Sequence, residues 1–258
     1  ILMQLGEEAI LVSHAGGREK DYYLSLVAQD DIPVRIVDSS SDVRTCYTLL
    51  EKGAHTTTEI VEESKPVAPG TEALVRTAYT EALGGSKAVI ITGTQAEGYS
   101  DSLYPDCVRD AKKAGKMVVL DIKGKSLLSS LQFRPDIIKP NLAEFAGTFF
   151  PEKKVSEQGE HQDVVELCAH MMAELYKDYG TLTVLTMGKR GVLFFNGERV
   201  KKIDASPIVP VNTIGCGDAF TAGLSASLLL DHDIEKAVMQ GQACAEKNAL
   251  FIKPGTIR

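Results

Sequence analysis

Residues 211–223 read Val-Asn-Thr-Ile-Gly-Cys-Gly-Asp-Ala-Phe-Thr-Ala-Gly and carry the most specific pattern in the chain. Gly215 and Gly217 precede an apolar helical pattern, so bare backbone N–H groups would stand at a helix N-terminus. Such N–H groups and the helix dipole can bind an anion. Asp218 falls in the first helical turn, where an acid is also common for dipole and capping reasons alone. The segment predicts an anion site beside a carboxylate, and the capping explanation stays open for an isolated G-x-G-D.

Phosphoryl transfer to an alcohol requires hydrogen-bond donors for the migrating anionic group and a base that accepts the hydroxyl proton.

Two other nucleotide-binding motifs are incomplete in this chain. Gly124-Lys125-Ser126 resembles the end of a P-loop, but the earlier glycine that a P-loop needs falls on Val119. The third glycine of a dinucleotide fingerprint starting at Gly215 falls on Phe220.

Short β-branched runs alternate with amphipathic stretches along the chain, which predicts βαβ units and an α/β fold with a mostly parallel sheet. The apolar runs are typical of strands buried on both faces. The predicted strands are Ala9–Ser13, Pro33–Val37, Ala88–Thr92, Met117–Asp121, Asp136–Lys139 and Thr181–Thr186. The predicted helices are Glu19–Gln29, Glu72–Leu83, Leu103–Ala114, Asn141–Thr148, Gln162–Lys177, Gly217–Leu230 and Ile234–Phe251.

Two stretches with alternating polar and apolar residues predict β-hairpins. Cys46–Leu50 and Thr56–Val61 form an antiparallel pair appended to the sheet, and Gly191–Asn196 and Arg199–Ile203 meet at an Asn-Gly turn. No repeat, low-complexity tract or linker marks a boundary. We therefore expect one domain over residues 1–258.

Composition restricts the partners of the chain. Its 258 residues carry 28 Lys+Arg against 35 Asp+Glu, a net charge of −7 that argues against nucleic acid as the main partner. No apolar run approaches the roughly 20 residues of a membrane span. Five cysteines without a CxxC pair predict reduced thiols and a cytoplasmic protein. The five histidines have no metal-ligand spacing.

Four ordered segments resemble the ribokinase-like (PfkB) carbohydrate kinases, over about half the chain. Residues 212–223 resemble the C-terminal signature of the family. The segment 138–144, Ile-Lys-Pro-Asn-Leu-Ala-Glu, resembles its K-P-N-x-x-E segment, and 186–191, Thr-Met-Gly-Lys-Arg-Gly, its S/T-x-G-x-x-G segment. Asn248, followed by Pro254-Gly255, resembles the closing helix and loop on the adenine side. The resemblance implies a three-layer αβα, Rossmann-like fold with a small β-sheet lid at about residues 43–62.

The resemblance also implies ATP and Mg²⁺ as cofactors. Asp218 would be the catalytic base and would also bind the substrate, and the N–H groups of Gly215, Cys216 and Gly217 would form the anion hole. Asn141 and Glu144, one helical turn apart, would hold Mg²⁺ through water. The other residues implied on the ATP side are Lys139, Thr186, Gly188, Lys189, Gly191 and Asn248.

Within the family, Arg44 and the strand Thr56–Glu63 resemble the branch containing 1-phosphofructokinase and tagatose-6-phosphate kinase. Arg44 suits a substrate phosphate because its guanidinium donates two parallel hydrogen bonds, although a solvated charge at a strand start explains it equally well. Asn212, where sugar and nucleoside kinases usually have Asp, points to the same branch. Gln95-Ala96 replaces the usual Leu-Pro pair, which leaves the sugar open.

The resemblance therefore implies ATP-dependent phosphorylation of a sugar phosphate. An unphosphorylated sugar, a nucleoside, or a role as a non-catalytic sugar-phosphate sensor are the alternatives. The family's N-terminal strand and Gly-rich sugar-binding segment have no counterpart, so Ile1–Ala9 is expected to be the second half of the helix that follows them. The exposed β lid offers an edge through which a homodimer could form.

Overall fold

The computed structural model describes residues 1–51, 53, 56–153, 155, 162–231 and 233–258. The strands are β1 Leu11–Ala15, β2 Val34–Asp38, β3 Cys46–Glu51, β4 Thr56–Val61, β5 Ala88–Thr92, β6 Met117–Asp121, β7 Ile137–Ile138, β8 Leu182–Thr186, β9 Val192–Phe195 and β10 Val200–Ile203. The helices are α1 Lys20–Gln29, α2 Thr71–Leu83, α3 Leu103–Lys113, α4 Gly124–Leu131, α5 Leu142–Phe149, α6 Gln162–Tyr179, α7 Cys216–Asp231 and α8 Ile234–Ala249.

A six-stranded sheet of order β10-β9-β8-β7-β6-β5 forms the centre. Strands β5 to β8 are parallel, and β9 and β10 continue the sheet as an antiparallel hairpin. Helices α3 to α6 cover one face of the sheet and α7 and α8 cover the other, each against its own apolar core. Neighbouring residues of β6 serve both cores, Val118 on the first and Val119 on the second. The structure thus confirms the predicted α/β fold with helices on both faces of a mostly parallel sheet.

Burial was predicted wrongly for three strands. The runs Ala9–Ser13, Pro33–Val37 and Ala88–Thr92 were expected to be buried on both faces, yet β1, β2 and β5 are mostly half-buried or exposed. The reason is sheet position: within the described ranges β1 pairs only with β2, in a separate parallel sheet, and β5 is the last strand of the central one. An apolar groove of about 370 Å³, lined also by α2 and α3, lies along β1 and β5.

The first hairpin forms as predicted, with Cys46 opposite Val61 and Glu51 opposite Thr56. It is not appended to the central sheet, because among the described strands β3 and β4 pair only with each other. Tyr47 and Leu49 on β3 are 62% and 56% exposed, and Ile60 on β4 is 56% exposed. The pair therefore presents apolar side chains that the described part of the chain leaves uncovered.

Two local predictions differ from the structure. Ile1–Ala9 was expected to be helical, but only a short 3₁₀ turn forms there, at Met3–Leu5. Helix α4 was not predicted, because it begins with glycine and contains three serines of low helix propensity. It forms because Leu127 and Leu131 pack into the core.

All five cysteines are free thiols. Of the five histidines, His55, His161 and His232 lie outside the described residues. No helix in the described ranges has both the length and the apolar character to cross a membrane.

Candidate functional site

The candidate site lies where the carboxyl ends of β5 to β8 meet the N-terminus of α7. Parallel strands all present their carboxyl ends at one edge, which is where open α/β sheets bind ligands. Thr92, the last residue of β5, has its hydroxyl oxygen 3.5 Å from Asp218 Oδ1. Asn141 and Thr186 form a parallel β-bridge beside them. The fold thus brings four separate sequence segments to one place.

The turn before α7 leaves most of its first donors free. Gly215 has a φ of +74°, a left-handed conformation that glycine adopts without strain. Outside the undescribed gaps, the backbone N–H groups of Gly215, Gly217 and Asp218 have no hydrogen-bond partner. Cys216 differs from the prediction, since its N–H closes a turn onto the carbonyl oxygen of Thr213 at 3.3 Å. The unpaired N–H groups are therefore those of Gly215, Gly217 and Asp218, and not the predicted set of Gly215, Cys216 and Gly217.

Asp218 is exposed, and its carboxylate does not cap α7. The one hydrogen bond that it accepts in the described part of the chain comes from the Thr92 hydroxyl. The capping explanation left open by the sequence is therefore not supported. An exposed carboxylate beside free N–H donors can take a proton from a hydroxyl group held between them.

Asn248 holds this turn in place. It is fully buried, and its Nδ2 donates to the carbonyl oxygen of Ile214 at 2.8 Å while its Oδ1 accepts from the N–H of Gly255 at 2.8 Å. Its Nδ2 also lies 3.4 Å from Cys216 Sγ. Burial raises the pKa of the Cys216 thiol, an effect that the Asn248 amide opposes. Asn248 therefore braces the turn, and its contact with an adenine stays a prediction.

A buried ion pair lies behind the α7 terminus. Lys139 Nζ is 3.1 Å from Asp121 Oδ1, and the two side chains are 3% and 12% exposed. Lys139 Nζ also lies 3.9 Å from the position that a Cβ on Gly217 would occupy. The Thr221 hydroxyl donates to Asp121 Oδ2 at 2.7 Å. Burial raises the pKa of Asp121 above its usual value, and the charge of Lys139 and the hydrogen bond from Thr221 offset only part of this rise.

Sequence reasoning identified Lys139 but not Asp121 or Thr221 as part of this site. A signal for Asp121 did exist, because an acid that ends a buried parallel strand stands at the ligand-binding edge.

Asn141 and Glu144 form a capping box at the start of α5. The N–H of Glu144 donates to Asn141 Oδ1 at 2.8 Å, and the N–H of Asn141 donates to Glu144 Oε2 at 3.1 Å. This accounts for the N-x-x-E spacing by helix capping alone. Lys123 Nζ, at 3.6 Å, is the cation nearest to Glu144 Oε1.

The donor set at α5 fits Mg²⁺ only through water. No group of three or more His, Cys, Asp or Glu side chains able to hold a metal occurs in the described residues. Mg²⁺ dehydrates reluctantly and commonly binds through one or two carboxylates together with substrate phosphates. Glu144, whose side chain is 30% exposed, keeps acceptor capacity beyond its capping bond and fits that pattern.

The segment after β8 is a tight turn. Gly191 has a φ of +87°, and a Cβ there would come within 2.0 Å of the Ile203 carbonyl oxygen. Met187 N–H donates to the Gly191 carbonyl oxygen at 2.9 Å, which closes the turn around Gly188. Lys189 is exposed on it. The glycines shape the backbone, and phosphate contacts from this turn stay a prediction.

Arg44 is exposed just before β3. Val43 and Thr45, on either side of it, line a cleft of about 380 Å³ against the β3–β4 pair. In the residues that the structure describes, no hydrogen bond or ion pair joins Arg44 to the α7 terminus. The structure therefore does not bring Arg44 together with Asp218.

A sequence profile described as "pfkB family carbohydrate kinase" matches residues 1–250. Tagatose-6-phosphate kinase from Staphylococcus epidermidis is 24% identical over 259 aligned residues, which span 100% of this chain and 80% of that protein. Phosphofructokinase-2 from Escherichia coli in complex with fructose-6-phosphate has a TM-score of 0.81 at 19% identity, covering 96% of this chain and 79% of that one. The tetrameric inhibited form of phosphofructokinase-2 from Escherichia coli has a TM-score of 0.79 at 20% identity, covering 96% of this chain and 79% of that one.

Gly215→Ala tests whether the turn before α7 makes the anion site. The left-handed backbone strains an alanine by about 1–2 kcal/mol, and the new Cβ would meet Pro254 Cβ at 3.4 Å. We expect tripolyphosphate binding, measured by calorimetry, to weaken at least about ten-fold because the donors lose their alignment.

The matched control is Gly115→Ala, since Gly115 also has a positive φ of +68° but has no atom within 4 Å of the new Cβ. This variant should lose similar stability and keep its anion affinity. Equal affinities in the two variants would contradict the assignment of the site to the Gly215 turn.

Proposed function

The chain belongs to the pfkB family of carbohydrate kinases, and from this premise we propose that it transfers the γ-phosphoryl group of ATP to a hydroxyl group of a sugar phosphate. One observation carries the proposal: the exposed carboxylate of Asp218 stands beside unpaired N–H groups, with the buried Lys139 ammonium directly behind. That is the combination of base and positive field that phosphoryl transfer needs.

Asp218 acts as the base in this proposal. Its carboxylate accepts the proton of the acceptor hydroxyl as the oxygen attacks the γ-phosphorus and the bond to ADP breaks. The Thr92 hydroxyl, 3.5 Å from Oδ1, helps to orient the carboxylate. General base catalysis of this kind contributes on the order of 10²- to 10⁴-fold in rate.

The α7 terminus stabilises the charge on the transferred group. The N–H groups of Gly215, Gly217 and Asp218 are unpaired in the described part of the chain, and the positive end of the helix dipole lies at the same terminus. Lys139 adds a full charge at 3.9 Å from the Gly217 Cβ position. Donors fixed before the reaction begins are effective because they need no reorganisation as charge develops.

The ATP side of the site lies at the ends of β7 and β8. Asn141 and Glu144 would hold Mg²⁺ through its water molecules, and the bound ion would neutralise charge on the phosphates. Thr186, Gly188 and Gly191 would border the phosphates, and Lys189 would add positive charge. Asn248 contributes by bracing the turn, as described above.

A sugar phosphate is the acceptor that two observations favour. The name of the related Staphylococcus epidermidis protein includes tagatose 6-phosphate, and the related Escherichia coli structure contains fructose-6-phosphate. Arg44 is an exposed cation between Val43 and Thr45, two residues that line the cleft beside β3 and β4, whereas Lys65 in that cleft is held by Asp42 at 2.5 Å. In this proposal Arg44 binds the substrate phosphate, and the β3–β4 pair covers the sugar and excludes water.

ADP release on a panel of acceptors tests the proposed function. The panel contains tagatose 6-phosphate, fructose 6-phosphate, fructose 1-phosphate, the free sugars and a nucleoside, each with ATP and Mg²⁺. We expect the highest kcat/KM on a sugar phosphate. Faster turnover of a free sugar or nucleoside, or no turnover of any acceptor, would overturn the proposal.

Arg44→Gln tests phosphate recognition within the same panel. Loss of charged hydrogen bonds should raise KM for the preferred sugar phosphate about 10- to 100-fold, with the free sugar changed less than about two-fold. Arg199→Gln is the matched control, because Arg199 is also exposed but stands in the β9–β10 turn. An unchanged KM for the sugar phosphate in Arg44→Gln would remove Arg44 from this role.

We also infer a homodimer formed through β3 and β4. Tyr47, Leu49 and Ile60 leave an exposed apolar patch there. Oligomers occur among similar structures, since one of the matched Escherichia coli structures is tetrameric. A cytoplasmic location stays a prediction from the cysteine content.

Leu49→Lys should convert the dimer to a monomer, because it places a charge in the buried patch. Light scattering after size exclusion at several protein concentrations measures the mass. Leu230→Lys is the control, since Leu230 is 80% exposed and lies at the end of α7. Dimers in both variants, or a monomeric wild type, would contradict the inference.

A further inference from the structure

Asp121 is the best-fixed carboxylate near the candidate active site. Its Oδ1 pairs with Lys139 Nζ at 3.1 Å, and its Oδ2 accepts from the Thr221 hydroxyl at 2.7 Å. The side chain is 12% exposed, so solvent reaches little of it. Both oxygens therefore have defined partners within the protein.

The first partner places a charge. Lysine has a flexible four-carbon stem, so a charged partner is needed to fix the position of its ammonium. Asp121 supplies the counter-charge to Lys139, whose side chain is only 3% exposed. The ammonium is held 3.9 Å from the Gly217 Cβ position, at the end of α7 where the unpaired N–H groups lie.

The second partner fixes the helix. Thr221 lies one turn after Gly217, and its hydroxyl oxygen is also 3.0 Å from the Gly217 carbonyl oxygen. Its bond to Asp121 therefore joins the second turn of α7 to the end of β6. The carbonyl oxygen of Asp121 accepts from the N–H of Gly93 at 3.2 Å, which ties the loop after β5 to the same residue.

We propose that Asp121 is a positioning residue for phosphoryl transfer: through Lys139 it aims a positive charge at the γ-phosphate, and through Thr221 it aligns the N–H donors of α7. This inference rests on the proposed function. Asp121 itself touches neither ATP nor the sugar.

Asp121→Asn is the first test. We expect kcat to fall about 100-fold, the size of effect seen when one preorganised donor is lost. ATP affinity, measured by calorimetry without an acceptor, should fall about ten-fold, while ADP affinity stays within two-fold because ADP lacks the γ-phosphate. Equal losses for ATP and ADP with kcat unchanged would show a purely structural role and overturn the proposal.

Asp136→Asn is the matched control. Asp136 also pairs with a lysine, Lys112, at 2.7 Å, but it stands at the amino end of β7. Its removal should leave kcat and the ratio of ATP to ADP affinity unchanged. A loss equal to that of Asp121→Asn would show that any weakened Asp–Lys pair disturbs the enzyme.

A double variant tests whether Asp121 acts through Lys139. Asp121→Asn combined with Lys139→Met removes both buried charges together, so it is expected to fold even where a single variant does not. Its kcat should lie within three-fold of that of Lys139→Met alone. If the fold-loss in kcat of the double variant equals the product of the losses in the two single variants, the residues act independently and the proposal is contradicted.

Thr221 provides a test without any change of charge. Thr221→Val should lower kcat about ten-fold, and Thr221→Ser should recover most of that loss because it restores the hydroxyl. Equal kcat values in the two variants would remove Thr221 from the arrangement.

The binding measurements separate this inference from the proposed function. A wild-type protein that phosphorylates no acceptor would refute the proposed function, yet its ATP-to-ADP affinity ratio would still test Asp121. A wild type that binds ATP no better than ADP would overturn the inference, even if a sugar phosphate is turned over.

Discussion

Helix α7 begins at the carboxyl edge of the parallel strands with its first N–H groups unpaired, and the site depends on that beginning. Side chains cap two other helices, Asn141 at α5 and Asp233 at α8, whereas α1 to α4 begin without a side-chain cap. Such a cap contributes about 1 kcal/mol of stability. At α7 a cap would occupy the donors that an anion needs, so the left-handed Gly215 and the buried Asn248 shape the turn instead.

The buried ion pair behind this terminus fixes the position of the Lys139 ammonium and adds little to the net stability of the fold. At 3.1 Å and an effective dielectric constant of about 20, Asp121 and Lys139 attract each other by about 5 kcal/mol. Removing each ion from water costs several kcal/mol, so attraction and desolvation nearly cancel. What the pair adds is a fixed cation 3.9 Å from the Gly217 Cβ position at the start of α7. Low exposure also makes that cation more effective toward a phosphoryl group than a solvated lysine would be.

The parts of the site that follow from local spacing could be predicted from the sequence. Gly215, Gly217 and Asp218 are neighbours in the chain, and their helix forms where the pattern indicates. The contact between Asp121 and Thr221 could not be predicted, because it spans 100 residues and depends on the packing of α7 against β6. The prediction that β1 and β5 are buried on both faces was wrong for a similar reason. Burial depends on the neighbouring strands in a sheet, which the hydrophobic periodicity of the sequence does not specify.

The central claim is that Asp218 takes the proton while the α7 terminus holds the phosphoryl group, and Asp218→Asn in a single-turnover assay tests it most directly. The account predicts a rate at least about 1,000-fold lower, with ATP affinity within about three-fold of wild type. Asp163→Asn, an equally exposed acid in the first turn of α6, should react at the wild-type rate. A near-normal rate in Asp218→Asn would contradict the account.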